Sequence, residues 1–496
     1  MRLHCAANSI KSTPPSPTGF CASRFPASAE LSRIATAHTL RAPGDNGRVT
    51  EPSEKRPQTT APAPGLSHAW RALRHRNFQL FFSGQSISLI GTWMTRVATS
   101  WLVYRLTHSA ILLGTVSFAG QIPTFLLAPL AGVLVDRWNR RTVLVVTQAL
   151  AMVQSLLLAA LTLTHRITIV EVLILSACQG CINAFDMPGR QSFMLEMVED
   201  RADLSNAIAI NSSMVNLARL VGPSLAGMLI AVSSEGWCFL VDGVSYIFVI
   251  TSLLMMRLDP AQAIAAAARA RDSLMLQLRE GWDFVRHSIP IRTILLQFAL
   301  ISLMGWPFTV LMPIFAAQVL HGGPHTLGFL MGAMGVGSLI SALSLVLRKS
   351  VRGLLRMIPI ASAAFGVGLI CFGLSHLLWL SMALLLVAGF GMMQGVTASN
   401  TIIQTIVPED KRGRVMSYYT VAFVGMAPFG SLFAGALAHL VGAPYTVIVS
   451  GVACILGAAW FWTQMPRIRP EMRPIYERLG IIPARPAAVI AEPEGS

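Results

Sequence analysis

Charge is what this chain has least of. Only 12% of its 496 residues are Asp, Glu, Lys or Arg, whereas 53% are hydrophobic, and the mean hydropathy is positive. A soluble globule of this length needs far more polar surface, so the composition excludes one and places the chain in a lipid bilayer. Acids are the scarcer sign, 23 against 38 Lys and Arg, for a formal charge of +15. Nucleic-acid binding would require the basic residues on one water-facing surface. Here they lie in turns between apolar runs, and no nucleic-acid partner is expected.

Cysteine is also sparse. The seven cysteines fall mostly inside apolar runs, where a thiol behaves as a small hydrophobe, so no disulfide framework is indicated. Cys178 and Cys181 have the spacing of a redox or metal pair but lie in a bilayer-length segment without further ligands. No Gly-rich loop ending in Lys-Ser/Thr is present, which argues against ATP drive. No nucleophile–base pair or metal cluster stands out either, so neither an enzyme nor a cofactor is expected.

What the chain does have is a succession of apolar runs of about twenty residues or more, the helical length that spans a hydrocarbon core of about 30 Å. They fall near 78–104, 109–135, 141–164, 168–189, 204–231 and 237–256, and then near 293–319, 325–347, 354–375, 378–405, 414–440 and 443–464. Uniform apolarity without alternation favours helices over membrane strands. The expected fold is an all-α membrane protein, with twelve transmembrane helices in two pseudo-symmetric six-helix bundles.

Residues 1–66 are rich in Pro, Ser, Thr, Ala and Arg and lack a signal-peptide core. They read as a disordered cytoplasmic tail, with a transit peptide or a start codon placed too far upstream as alternatives. The N-terminal bundle is expected over 67–256, a cytoplasmic linker over 257–290, the C-terminal bundle over 291–465 and a cytoplasmic tail over 466–496. Within the linker, Leu274, Leu278, Trp282 and Val285 share a helical face away from Arg279, Glu280 and Asp283, the pattern of an interfacial helix that Gly281 weakens.

Lys and Arg concentrate in alternate turns: Arg71, Arg74 and Arg76; Arg137, Arg140 and Arg141; Arg201; Arg348, Lys349, Arg352 and Arg356; Lys411, Arg412 and Arg414. The other turns carry little beyond Arg105 and Arg166. The positive-inside bias makes the rich side, and both termini, cytoplasmic. Internal echoes suggest duplication: Leu113-Gly114 with Leu327-Gly328, Gln179-Gly180 with Gln394-Gly395, and Ser224-Leu-Ala-Gly227 with Ser431-Leu-Phe-Ala-Gly435 recur in order at nearly constant spacing.

The turn Gly132-Val-Leu-Val-Asp136-Arg137-Trp-Asn-Arg140-Arg141 resembles the signature loop of the major facilitator superfamily, Gly-x-x-x-Asp-Arg/Lys-x-Gly-x-Arg/Lys-Arg/Lys. Asn139 replaces the family's second glycine, a mild departure because Asn tolerates a left-handed turn. The corresponding loop of the second half, from Arg348 to Gly353, lacks the acid. Further segments resemble the bacterial branch that contains the enterobactin exporter and transmembrane secretion effector proteins: Asn77 to Phe82, Gly91 to Met94, Ala184 to Pro188 with Arg190-Gln191, and Asn206 to Asn211. The resemblance covers about residues 70–465 and implies a secondary transporter working by alternating access.

It also implies roles. Gly132, Asp136, Arg137, Arg140 and Arg141 would form a conformational latch through helix-terminus contacts of about 0.3–2 kcal/mol each. Ala218, Gly222, Pro223, Ala226 and Gly227, with Ala209 upstream, resemble an antiporter motif, although ordinary helix packing uses the same residues. Gln179 and Gly180 end the family's Arg-x-x-Gln-Gly pattern, but Ser176 replaces its arginine, so a proton relay through that arginine does not carry over.

The remaining candidates follow from burial cost. Arg96, Arg219 and Asp242 sit well inside apolar runs, and an arginine at a helix centre costs about 2.5–3.5 kcal/mol unless it is paired or wetted. Arg96 and Asp242 are possible partners, as are Arg219 and Asp186 or a substrate anion; Asp186 and Arg190 form an alternative cytoplasmic gate. Each of these residues could equally staple helices together. Asp242 and Asp186 are the candidate proton carriers. Trp93, Trp101, Trp306, Phe81 and Phe82 could line a cavity or anchor at the interface, and His108, His376 and His439 read as interfacial.

The expectation is thus a monomeric, multi-pass protein of a bacterial cytoplasmic membrane, without cofactor, that exports a small organic molecule in exchange for protons. A receptor, regulator or lipid-handling protein on the same scaffold, or an importer, are the alternatives.

Overall fold

A computed structural model describes residues 71–198, 203–257, 274–348 and 350–483, all built from helices joined by short turns. The expected tail 1–66, Arg201 and residues 258–273 of the linker lie outside the described residues, as do the side chains of Asp136, Leu274 and Leu278. A 3₁₀ turn, Arg71–Arg74, leads into α1 (Arg76–Thr107), followed by α2 (Ala110–Arg137), α3 (Arg140–Leu163), α4 (Ile169–Met197), α5 (Leu204–Val232) and α6 (Glu235–Met255). The linker contributes α7 (Leu274–His287).

The second set comprises α8 (Ile289–Val319), α9 (Pro324–Val346), α10 (Leu354–Leu374) and α11 (Leu378–Ile406). It ends with α12, running from Glu409–Thr420 through a π turn at Val421–Gly425 into Ala427–Val441, and with α13 (Ala443–Arg478). Among the described residues eleven helices are long and apolar enough to cross a membrane. The twelfth span is α1. Its 32 residues suffice in length, but Gln85, Ser88, Thr92, Thr95 and Arg96 dilute its apolarity.

Local chemistry sets the boundaries. Ser109 caps α2 by accepting from the Leu112 amide at 3.4 Å, and the Thr168 amide at the start of α4 donates to Glu171 Oε2 at 2.6 Å, each satisfying a helix-end group. Two helices outrun their expected ends. α4 continues past Pro188 to Met197, and α13 passes Pro466, Pro470 and Pro474 to reach Arg478. Conversely, α8 changes pitch through a π turn at Ile301–Gly305, a 3₁₀ stretch at Trp306–Leu311 and a second π turn at Phe315–Val319. Pro307 and Pro313 lack the N–H that a regular ladder would need there.

Helix α7 docks on α12. Glu280 pairs with Arg414, the Trp282 ring lies 5.8 Å from Tyr418, and Val285 is buried. Gly281 has a packing reason, since a Cβ there would come within 3.0 Å of the Tyr418 ring.

In the first half α1 packs on α5 and α6, α3 on α4 and α6, and α2 on α4; in the second, α11 packs on α9 and α10, and α13 on α8 and α10. The halves meet where α2 crosses α12 and α5 crosses α9. Both crossings are glycine on glycine. A Cβ added at Gly114 would stand 3.0 Å from the Cα of Gly435, and one at Gly227 would stand 2.8 Å from the Cα of Gly328. Backbones can approach this closely only where side chains are missing.

All four glycines lie toward the helix ends remote from the arginine-rich turns. They are also the glycines of two of the three internal echoes, because each half contributes one from the start of its second helix and one from the end of its fifth. Around the α2–α12 crossing, the Ser117 hydroxyl donates to that of Ser431 at 3.1 Å, and Phe429 meets both Phe118 and Phe125 edge-on at 6.1 Å.

A larger residue at either crossing should pry this seam apart. Gly435→Val, in a cysteine-free background carrying Thr309→Cys, is expected to raise labelling by an impermeant maleimide from the face remote from the arginine-rich turns by about tenfold. Labelling at the parental rate would show that the glycines do not seal that face.

Candidate functional site: a cationic cavity between the halves

Between the two halves lies a cavity of about 320 Å³, lined by α1, α2, α3, α4 and α5 on one side and by α8 and α9 on the other. Its first-half wall is mixed: Thr95, Thr99, Ser100, Ser117, Gln121, Gln154, Ser176, Gln179 and Asn183 supply polar groups, and Val103, Leu113, Val116 and Leu158 supply aliphatic surface. The opposite wall comprises Trp306, Thr309, Val310, Met331, Met334 and Gly335. Arg96 and Arg219 are the ionisable residues among those that line it.

Both guanidinium groups lie against one indole. The Cζ of Arg96 is 4.7 Å from the Trp93 ring centroid, and that of Arg219 is 5.2 Å from it. Arg219 also faces Trp306 of the other half at 6.0 Å. A cation over an indole face gains about 0.5–2 kcal/mol, more as water is excluded. Trp93 is held where it is by α5: a Cβ at Gly222 would fall 2.5 Å from that of Trp93. The small residues of α5 therefore have two separate tasks, Gly222 admitting α1 and Gly227 admitting α9, while Ala218 and Ala226 are buried. Pro223 lines the cavity itself.

The expected pairing of Arg96 with Asp242 is not what forms. Asp242 is buried behind α1, where its Oδ2 accepts from Thr95 at 2.9 Å and from Ser155 at 3.2 Å. Arg96 instead faces the cavity, which Asp242 does not line. Nor does Asp186 meet Arg219. It is buried between α3 and α4, accepting from Gln148 at 2.7 Å and Thr147 at 3.3 Å and pairing with Arg190 one turn along its own helix. Neither carboxylate lines the cavity.

Gln179 does line it, with its amide donating to Asn183 at 3.1 Å and its carbonyl oxygen unpartnered. Its echo Gln394 is different: buried in the second half, it accepts from Ser341 at 2.7 Å. Of the aromatic candidates, Trp93 and Trp306 reach the cavity, whereas Phe81 is buried in a separate core cluster and Trp101 packs beside Tyr104.

In the signature turn, Gly132 has open space around it and Arg137 is exposed. Asn139 is extended rather than left-handed, at φ −67° and ψ 111°. Its role is to cap α3, accepting from the Thr142 amide at 3.1 Å. Arg141 donates to the Leu254 carbonyl near the end of α6, the helix-terminus contact expected of this loop. The arrangement places these contacts within the first half.

Cavity residues such as Gln121, which bridges to Ser431 across the seam at 3.4 Å, Gln154 and Asn183 escaped sequence reasoning. The available signal was an uncharged amide inside an apolar run. Ionisable residues drew attention because their burial cost is larger.

Two six-helix halves that touch at paired helix crossings around a cavity define a membrane transporter of the major facilitator type. The comparisons agree. Residues 67–475 match the family described as transmembrane secretion effector, and the chain belongs to that family. It is 24% identical over 394 residues to the staphyloferrin A transporter of Staphylococcus aureus, covering 79% of this chain and 97% of that protein. Identity to the multidrug efflux pump Tap of Mycolicibacterium fortuitum is 26% over 373 residues, covering 74% and 90%. Among solved structures, the nucleoside transporter NupG shares the fold at TM-score 0.62 and 13% identity, covering 78% of this chain and 99% of that one. A POT family transporter does so at TM-score 0.61 and 12% identity, covering 79% and 96%.

Removing both hydroxyl donors from Asp242, by Thr95→Val with Ser155→Ala, should destabilise the protein in detergent by about 1–3 kcal/mol for each group left unsatisfied. Thermal unfolding measures this, and the same pair of changes should cost much less when residue 242 is already Leu. Equal losses in the two backgrounds would show that these hydroxyls act elsewhere.

Proposed function

We propose that the chain is a proton-driven exporter of a small organic molecule, reorienting its two halves around the mid-membrane cavity, and that it functions in a bacterial cytoplasmic membrane. The observation that carries the reading is the cavity between halves pinned together at one end by glycine crossings. A cavity of this size and mixed polarity suits a small ligand, and only two packings separated by a few kcal/mol are needed to expose it to alternate sides.

The positive-inside bias assigns the arginine-rich turns and both termini to the cytoplasm. The glycine seam then lies toward the outside, where it closes the halves together. Export is supported by the efflux role of the relative Tap. Transport rather than catalysis fits the site, whose ionisable groups are two guanidiniums facing amides and hydroxyls. One chain encloses the cavity, so a monomer suffices.

Asp242 is the candidate proton carrier. It is a buried carboxylate whose bonded neighbours are hydroxyls, and its Oδ1 accepts no hydrogen bond among the described residues. Thr95, one of its donors, also lines the cavity, which gives Asp242 a one-residue connection to cargo. Asp186, already paired with Arg190, is the less suitable of the two.

Cells with and without the protein should differ in at least one secreted metabolite or in tolerance of a toxic compound. That compound should accumulate in inverted membrane vesicles in proportion to an inside-acid pH gradient, and a protonophore should abolish the stimulation. Asp242→Asn is expected to reduce gradient-driven uptake by about tenfold while leaving downhill movement; unchanged pH dependence would remove Asp242 from the mechanism. If no compound responds to the gradient, the transport reading itself fails.

A further inference from the structure

The charge pattern of the cavity narrows the cargo further, building on its reading as the transport site. Two arginines face it and no Asp or Glu is among its lining residues. Arg96 and Arg219 make no ion pair with any described residue, and Nε of Arg219 is buried without a hydrogen-bond partner. Their contacts are with the faces of Trp93 and Trp306, which leave guanidinium edges free to donate. The acids that might have neutralised them are engaged elsewhere, Asp186 by Arg190 and Gln148 and Asp242 by Thr95 and Ser155.

Arg96 is exposed to the cavity and Arg219 is half-buried beside it, so both can reach a ligand there, and an anion between them gains charge-assisted hydrogen bonds that water supplies less well. A guanidinium presents its donors in a planar fork that matches a carboxylate. The far wall carries no charge. Trp306, Val310, Met331 and Met334 offer indole, branched aliphatic and thioether surface, which suits an apolar body of adaptable shape.

We propose that the cargo is an amphipathic organic carboxylate, its anionic end held by Arg96 and Arg219 beside Trp93 and its apolar body lying against the α8–α9 wall. The first half thus holds the charge, and the hydrocarbon rests on the second half together with the aliphatic part of the first, Val103, Leu113, Val116 and Leu158. A cation of the same shape meets two like charges and is rejected.

The test uses purified full-length protein in lipid nanodiscs, titrated calorimetrically with three compounds of matched shape, 4-phenylbutyrate, 4-phenylbutanamide and 4-phenylbutylamine, together with butyrate and inorganic phosphate. Saturable binding of 4-phenylbutyrate is expected, with the amide, the amine and both small anions at least about tenfold weaker. Arg96→Gln and Arg219→Gln should each weaken 4-phenylbutyrate by about tenfold. Because the comparison among compounds needs only the wild-type protein, poor folding of a variant leaves it intact.

Equal or tighter binding of the amine or the amide overturns the proposal, as does wild-type affinity in either folded variant. Absence of saturable 4-phenylbutyrate binding up to about 10 mM does the same. Phosphate binding as tightly as 4-phenylbutyrate would reduce the site to one for a small counter-ion. In inverted vesicles the two readings separate: gradient-driven uptake of the amine but not of the carboxylate leaves the transporter standing and removes the anion assignment.

Discussion

Main chain resting on main chain is the contact on which this molecule depends. In lipid there is no hydrophobic drive to hold one apolar helix against another, so association rests on close packing and polar bridges. Gly114 against Gly435 and Gly227 against Gly328 supply the closest packing that helices allow, and Ser117 with Ser431 supplies a bridge. At the glycines themselves no side chains interlock, so that part of the contact can be made and broken without rotamer rearrangement. Such a joint suits a protein whose halves must separate on every cycle.

The second constraint is the unequal division of charge. Buried acids of the first half are engaged by near neighbours: Asp186 by α3 and its own helix, Asp203 by Arg71 and His75, and one oxygen of Asp242 by α1 and α3. Glu235, also buried, is taken by Arg105 at 2.8 Å and 3.1 Å. Arg96 and Arg219 have only indoles. The positive character of the cavity therefore arises from how the acids are partnered, as much as from which residues line it.

The membrane fold was legible because its signals are strong and local. Twenty-residue apolar runs and arginine in alternate turns survive any uncertainty about packing, and the first run, expected near 78–104, is a continuous helix despite its polar residues. The proline-bearing ends of α4 and α13 were misjudged because proline discourages helix continuation without forbidding it once neighbours have fixed the path. Asn139 was read for its tolerance of a left-handed turn when its side chain in fact caps α3.

The candidate site was half legible. Arg96, Arg219 and Gln179 converge on the cavity, but their partners did not follow from sequence, because pairing depends on which helix faces each residue and hydroxyls at Thr95 and Ser155 compete for Asp242. The glycine echoes carried more information than their shortness suggested. Gly114 and Gly328, like Gly227 and Gly435, hold equivalent places in the two halves, and each meets a non-equivalent glycine across the seam.

Trp306 is the second half's hold on Arg219, and it has a consequence for the unloaded carrier. When the halves part on that side the guanidinium loses one of its two indoles, so an empty protein forfeits part of about 0.5–2 kcal/mol that a bound ligand could replace. Idle molecules would then accumulate in a single orientation, and futile turnover without cargo would be slower than productive turnover. A stacking contact between two side chains would in this way act as a brake on idle cycling.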